Sequence, residues 1–326
     1  MCRKEKTEPN YFEYQKDSWL KRNWIPLLII ILGVGSIFLI FISQAFRGSN
    51  AVNAENAAQL GDFIGGFIGT VFALVSVVLL VITLNNQRES LNKEKFESKF
   101  FELLKYQRDN VAELTIGGEH GKKIFVLLIR EFREILDIVK EVRGVTNQSL
   151  KEKELLIISY HVLFFGVGPN SSRQLKKSLS HYGFASTFVD ELERSLNNDY
   201  IKAYVKEKRN FNFIPFEGHQ VRLGHYYRHL YQSVMFVDRE PTNIDKYFYI
   251  KTLRAQMTTH EQALFYLNSL SRMGSIWRDE ERKLITYYKL VKNIPEDFFN
   301  KESEVNIEED FPKDYFEHQQ NQSKTS

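Results

Sequence analysis

The stretch 63–87, FIGGFIGTVFALVSVVLLVITLNNQ, runs 25 residues from Asp62 to Arg88 without a charge. At roughly 1.5 Å of rise per residue, about 20 apolar residues cross the ~30 Å hydrocarbon core of a bilayer as a helix. A core helix of a soluble protein seldom runs this long without a polar face. Just upstream, NWIPLLIIILGVGSIFLIFISQAF (23–46) supplies 24 more uncharged residues between Arg22 and Arg47. Two such runs in succession predict a transmembrane hairpin over 23–87, with helices at about 24–45 and 61–84.

The flanks set its orientation. Arg3, Lys4, Lys6, Lys16, Lys21 and Arg22 precede the first run, and Arg88, Lys93, Lys95, Lys99 and Lys105 follow the second. The connecting loop 47–59 holds only Arg47. Lys and Arg are retained on the cytoplasmic side, which places both termini in the cytoplasm of a multi-pass protein of the bacterial inner membrane. Trp19 and Trp24 stand where indole rings favour headgroups. Ser43-Gln44-Ala45 loosely fits a signal-peptide cleavage site, but the apolar core before it is too long for one.

Gly61, Gly65 and Gly69 recur every fourth residue and define a helix-packing face that lets another backbone approach closely. Asp62 reads as an N-terminal charge favoured by the helix dipole.

The whole chain of 326 residues carries a formal charge of only +3 and one cysteine, Cys2. A single thiol excludes a disulfide framework and a multi-cysteine zinc site. A weak, dispersed basic balance gives no dedicated DNA-binding surface.

Past the membrane, helical spacing dominates and the fold class is all-α. No proline or glycine falls within 70–116, so the second span continues as one helix carrying Phe96, Phe100, Leu103, Leu104, Val111 and Leu114 on a stripe. The loop IGGEHGKK (116–123) stops it; its glycine spacing is not that of a phosphate-binding Walker loop. Further helices are predicted over 122–142, 150–167, 172–180, 186–197, 219–238, 243–257, 258–271 and 278–293. Thr258 and Glu261 fit a capping box. A short strand pair is expected near 211–216. The resulting organisation is a cytosolic tail (1–22), the hairpin (23–87), juxtamembrane amphipathic helices (88–145), a helical domain (146–300) and a polar tail (301–326) read as disordered.

The densest polar cluster is FEGHQVRLGHYYRHLY (216–231), with His219, Arg222, His225, Arg228 and His229 among tyrosines. Arg254 is a second isolated cation in an apolar stretch. Zinc held by His225 and His229 lacks a third ligand and the glutamate of a metalloprotease helix, so no metal centre and no cofactor is predicted. Arg222 followed by His229 resembles the R-x(4–6)-H signature of HEPN ribonucleases, in which the His moves a proton and the Arg steadies phosphate. A non-catalytic pocket for an anion or nucleic acid would use His219, His225, Tyr226, Arg228 and Arg254. The plain alternative is a structural helix whose cations satisfy buried carboxylates and carbonyls. The pocket and the structural role rank ahead of catalysis.

Three blocks resemble the phage abortive infection proteins of the AbiC-like type. They are LGDFIGGFIGTVFALVSVVLLVITLNNQ (60–87), FESKFFELLKYQRDNVAEL (96–114), and a third running from LGHYYRHLYQSVMFVD (223–238) through YFYIKTLRAQMTTHEQALFYLNSLS (247–271) to ITYYKLVKNI (285–294). The resemblance implies a bacterial antiphage defence protein that arrests or sacrifices the infected cell; related two-helix membrane proteins stand beside retrons as effectors. It carries no established catalytic residues, although Arg228 and Arg254 match recurrent arginines of its motifs. The expectation is therefore a membrane-anchored abortive-infection effector, homo-oligomeric in the lipid bilayer, whose cytosolic domain senses infection, a phage component, nucleic acid or a retron-type partner. A membrane-tethered HEPN-like ribonuclease and a non-enzymatic scaffold recruiting a separate toxin are the alternatives.

Overall fold

A computed structural model describes residues 54–241, 243–296, 298–299 and 306–319, together with 28, 31, 33, 35 and 38. It divides into two compact units, Met1–Ser90 and Leu91–Ser326.

In the first unit, α1 (Ala54–Phe63) passes through a π turn at Ile64–Ile68 into α2, which runs unbroken from Gly69 to Glu113. The predicted span at 24–45 lies largely outside the described residues; Leu28, Ile31 and Phe38 are helical and exposed. A Cβ built on Gly33 would lie 3.3 Å from Phe72 Cζ. Among the described residues one helix, Ala54–Glu113, is long and apolar enough to cross a membrane. Phe67, Leu74, Leu80 and Ile82 are all exposed on it. The π turn interrupts the α register assumed for Gly61, Gly65 and Gly69, because an i→i+5 turn holds more residues than an α turn. Cβ atoms at Gly61 and Gly65 would meet nothing within 4 Å.

The second unit begins on the far half of α2, which buries Phe96, Phe100, Leu104 and Val111 as the spacing predicts. Gly117 and Gly118, both at positive φ, turn the chain into a two-residue hairpin, β1 (Thr115–Ile116) with β2 (Glu119–His120). This is the strand pair of the domain. Residues 211–216, where one was expected, form turns held by side chains instead.

Next come α3 (Lys123–Thr146), α4 (Glu152–Phe165), α5 (Ser172–Ser180), α6 (Ser186–Asn197), α7 (Asp199–Arg209), α8 (Gln220–Asp238), α9 (Lys246–Arg254) and α10 (Thr259–Leu270). The central helix is α3. Its stripe of Phe125, Leu128, Phe132, Ile135 and Val139 is fully buried, and α4, α6 and α10 pack on it. Asn147 ends α3 in the left-handed conformation (φ 50°), its N–H bonding back to the Arg143 and Gly144 carbonyls. The Thr258 box caps α10: Thr258 Oγ1 accepts Glu261 N–H at 3.2 Å and Glu261 Oε2 accepts Thr258 N–H at 2.7 Å. Helix α7 escaped the pattern reading, although Asn198 caps it by accepting the Tyr200 N–H at 2.9 Å.

Two predictions from local pattern are corrected. The helix expected over 278–293 shrinks to α11, Leu284–Tyr287, between left-handed Lys283 and Lys289. Leu284, Ile285, Tyr288, Leu290, Val291 and Ile294 are all buried, too many faces for one amphipathic stripe. Backbone turns and side chains share its hydrogen bonds: Arg254 Nη1 donates to the Tyr288 and Lys289 carbonyls, and Tyr315 Oη donates to Ile285 O while accepting from Val291 N.

The tail read as disordered over 301–326 is instead packed at 306–319. Phe311, Tyr315 and Phe316 enter the core, and Asp310 accepts from Tyr266 Oη at 3.1 Å and Arg278 at 3.5 Å. Its polar average concealed three aromatic anchors.

Candidate functional site

The site is built on the loop 211–219, which delivers the chain into α8. Gly166 at the end of α4 and Gly218 cross backbone to backbone. A Cβ on Gly166 would stand 2.2 Å from Glu217 C, and one on Gly218 2.4 Å from Phe165 C and O. Only glycine fits such an approach, and both sit at positive φ (74° and 88°). Val167 N–H donates to Phe216 O at 2.7 Å, and His219 N–H donates to Phe164 O at 2.9 Å.

Beneath the crossing lies a buried carboxylate. Glu131 of α3 is 0% exposed and His219 is 3% exposed. Glu131 accepts the Phe216 N–H and the His219 Nε2–H, each at 2.7 Å. A carboxylate only accepts, so the imidazole carries its proton on Nε2, and its Nδ1 faces Arg222 Nη1 at 3.4 Å. Arg222 Nε donates to Thr115 O at 2.8 Å, tying α8 to the β hairpin. Both nitrogens of His219 are engaged, so it is a positioning group and meets no ligand.

Above this relay opens a cleft of about 620 Å³, lined by Asn110, Glu113, Leu114 and Thr115 from the end of α2 and by Val221, Arg222, His225 and Tyr226 from α8. Tyr226 is buried, with its hydroxyl donating to Glu261 at 3.2 Å. That burial removes it as a stacking platform but leaves its ring edge as floor. The Asn110, Glu113 and His225 side chains make no hydrogen bond among the described residues. Sequence reading missed Asn110 and Glu113; their position at the end of a helix, just before a Gly-Gly turn, was the available signal.

The other predicted site residues go elsewhere. Arg254 is 5% exposed and spent on the two carbonyls described above. Arg228 faces solvent. His229 turns to Tyr106, edge to face with centroids 6.2 Å apart, and burial, with His225 beside it, lowers its pKa. Arg222 and His229 stand about 10 Å apart along the helix axis by their seven-residue separation, one turned to Thr115 and the other to Tyr106. Among the described residues, no three His, Cys, Asp or Glu side chains gather as metal ligands.

One buried histidine outside the cleft has a measurable consequence. His161 of α4 donates from Nδ1 to Ile157 O at 2.6 Å, and its Nε2 is buried without a partner. The ring faces Tyr182 and Phe165. Burial outweighs the carbonyl contact and holds its pKa below the ordinary 6.5. Below pH 6.5 the unfolded chain therefore binds more protons at this site than the folded one, and stability falls with pH until the folded group protonates. His161→Leu should lose less melting temperature than the wild type between pH 7.5 and 5; parallel losses would reject this assignment.

The described fold is thus a mostly helical domain with a cleft of mixed polar and apolar lining, following an exposed apolar helix on one continuous chain. Residues 218–299, from the crossing glycine through Arg254 to the end of the packed 284–294 segment, match the family model described as "Putative phage abortive infection protein". This is the family that the sequence blocks resemble. No curated protein and no solved structure matches the chain.

Proposed function

We propose that this protein is a membrane-anchored antiphage defence effector. Its cytosolic helical domain senses infection, and its apolar helices act in the bacterial inner membrane with both termini cytoplasmic. The observation that carries the reading is the family match at 218–299, which lies in the same chain as a helix apolar on every face. A helix hydrophobic all round needs either a protein core or lipid around it. No residue of that apolar stretch is buried inside the fold, so lipid or another copy is the physical alternative. The helix that carries this stretch, α2, continues in sequence to Glu113, which lines the cleft. Among the described residues nothing lies within 4 Å of a Cβ at Gly65, which leaves that position open to another helix, of this chain or of a second copy.

Phage challenge with membrane potential and RNA integrity recorded together tests this. The wild type should depolarise the cell early with RNA intact. Gly65→Leu, whose new side chain collides with nothing among the described residues, should lose protection at unchanged membrane abundance. RNA cleavage preceding depolarisation would replace this reading with a tethered ribonuclease. Neither signal in the absence of a neighbouring gene would replace it with a scaffold. Full protection by Gly65→Leu would remove the glycine face from the mechanism.

A further inference from the structure

We infer that the cleft between the end of α2 and the start of α8 binds a single nucleoside phosphate whose base carries an exocyclic amine. The inference rests on the sensing role proposed above and names its input. Concavity is the first ground: about 620 Å³ is the size of a small-molecule site and holds one nucleotide, not a strand.

Unspent polar groups are the second ground. Arg222 uses Nε on Thr115 O and turns one Nη1 proton toward His219, which orients the guanidinium and leaves its remaining N–H groups for an anion. His225, one turn further along α8, is exposed, with its ring 6.3 Å from that of His229 and no hydrogen bond among the described residues. Arg222 thus puts a positive charge on the α8 wall, and that wall suits a phosphate.

The opposite wall carries the reverse chemistry. Glu113 and the C-terminal end of α2 present negative charge, and Asn110 offers an amide that can both donate and accept. An inorganic anion alone would leave these acceptors facing it unfavourably. A ligand with a phosphate at one end and an amino-bearing ring at the other matches both walls, and an asparagine amide pairs with such a base edge through two hydrogen bonds. Apolar surface completes the fit. Val221 is 88% exposed at the rim with Leu114 beside it, a place for the flat face of a base.

Calorimetry on the full chain in detergent micelles tests this with AMP, CMP, IMP, UMP, inorganic phosphate, adenosine and a single-stranded oligonucleotide. AMP or CMP should bind roughly tenfold more tightly than IMP, UMP, phosphate or adenosine, the scale of one hydrogen bond lost at a solvent-facing site. His225→Ala should weaken every phosphate ligand about tenfold. Glu113→Ala should bring AMP down to the level of IMP. Both residues lie outside the folded hydrogen-bond network, so resistance to proteolysis should not change. No nucleotide binding, equal affinity for AMP and IMP, phosphate as tight as AMP, or an oligonucleotide tighter than a mononucleotide would each overturn the inference. The defence reading fails separately: a chain that binds AMP while His225→Ala protects fully retains the site and loses its sensing role. A chain that protects without binding nucleotide keeps the role and loses the site.

Discussion

Gly218→Ala and Gly166→Ala should each unfold or severely destabilise the domain, by roughly 4 kcal/mol or more. Each added methyl would fall within 2.4 Å of backbone atoms, Phe165 C and O in one case and Glu217 C and O in the other. Neither obstacle is the end of a flexible side chain, so relief requires separating α4 from the entry of α8. Each substitution also forces a residue with a Cβ to a φ of 74° or 88°. Gly144→Ala provides the contrast. It lies inside α3 with nothing within 4 Å of its Cβ, and alanine there should be neutral or stabilising by about 0.5–1 kcal/mol. Denaturant unfolding of the three variants decides the matter. Equal stabilities for Gly218→Ala and Gly144→Ala would show that the two segments do not cross as described. The match to the abortive infection family model begins at this glycine.

The second large effect is expected at Glu131. Glu131→Ala strands two donors, the Phe216 N–H and the His219 Nε2–H, in a site with no water access. Each buried donor left without its acceptor costs about 1–3 kcal/mol, and here two are stranded together. Phe216 is also held at a φ of 70°, unusual for a bulky residue, and the Glu131 contact is what holds it there. His219→Leu alone leaves the carboxylate half-satisfied and should cost less than Glu131→Ala. The double variant Glu131→Leu/His219→Leu should cost less than the sum of the single changes, because neither partner is left alone. Additive losses would mean that the pair is not coupled. Since this pair aims Arg222, a destabilised Glu131 variant should also lose the cleft.

These two sites explain why the polar cluster 216–231 reads ambiguously in one dimension. Helical spacing places Arg222, His225 and His229 near one stripe but says nothing about what each meets. His219 meets a glutamate that is 88 residues away in sequence. Arg222 meets a carbonyl 107 residues away. Arg254 looked like a partner of the same cluster and is consumed 35 residues downstream. The cluster divides into a buried relay, a cleft wall and a carbonyl clamp, a division made by α3, the β hairpin and the 284–294 segment.

What the sequence by itself determined is local and periodic. The charge-free length of 63–87 dictates an apolar helix with no polar face, and the absence of Pro and Gly from 70–116 lets it continue to Glu113. The stripe of α3, the Gly-Gly stop at 117–118 and the Thr258–Glu261 box follow from side-chain spacing and backbone freedom within a few residues. Tertiary structure decided whatever depends on a distant donor or acceptor. It cut the helix expected over 284–294 to one turn followed by tight turns, with Arg254 and Tyr315 bonding the Ile285, Tyr288, Lys289 and Val291 backbone. It drew 306–319 into the core, because Phe311, Tyr315 and Phe316 gain more from burial than their charged neighbours lose. It made a cleft from Asn110, Glu113, Arg222 and His225, because Arg222 bonded to Thr115 O holds the start of α8 beside the end of α2. Local pattern registers propensity and period; it has no access to the partner that satisfies a buried polar group across the fold.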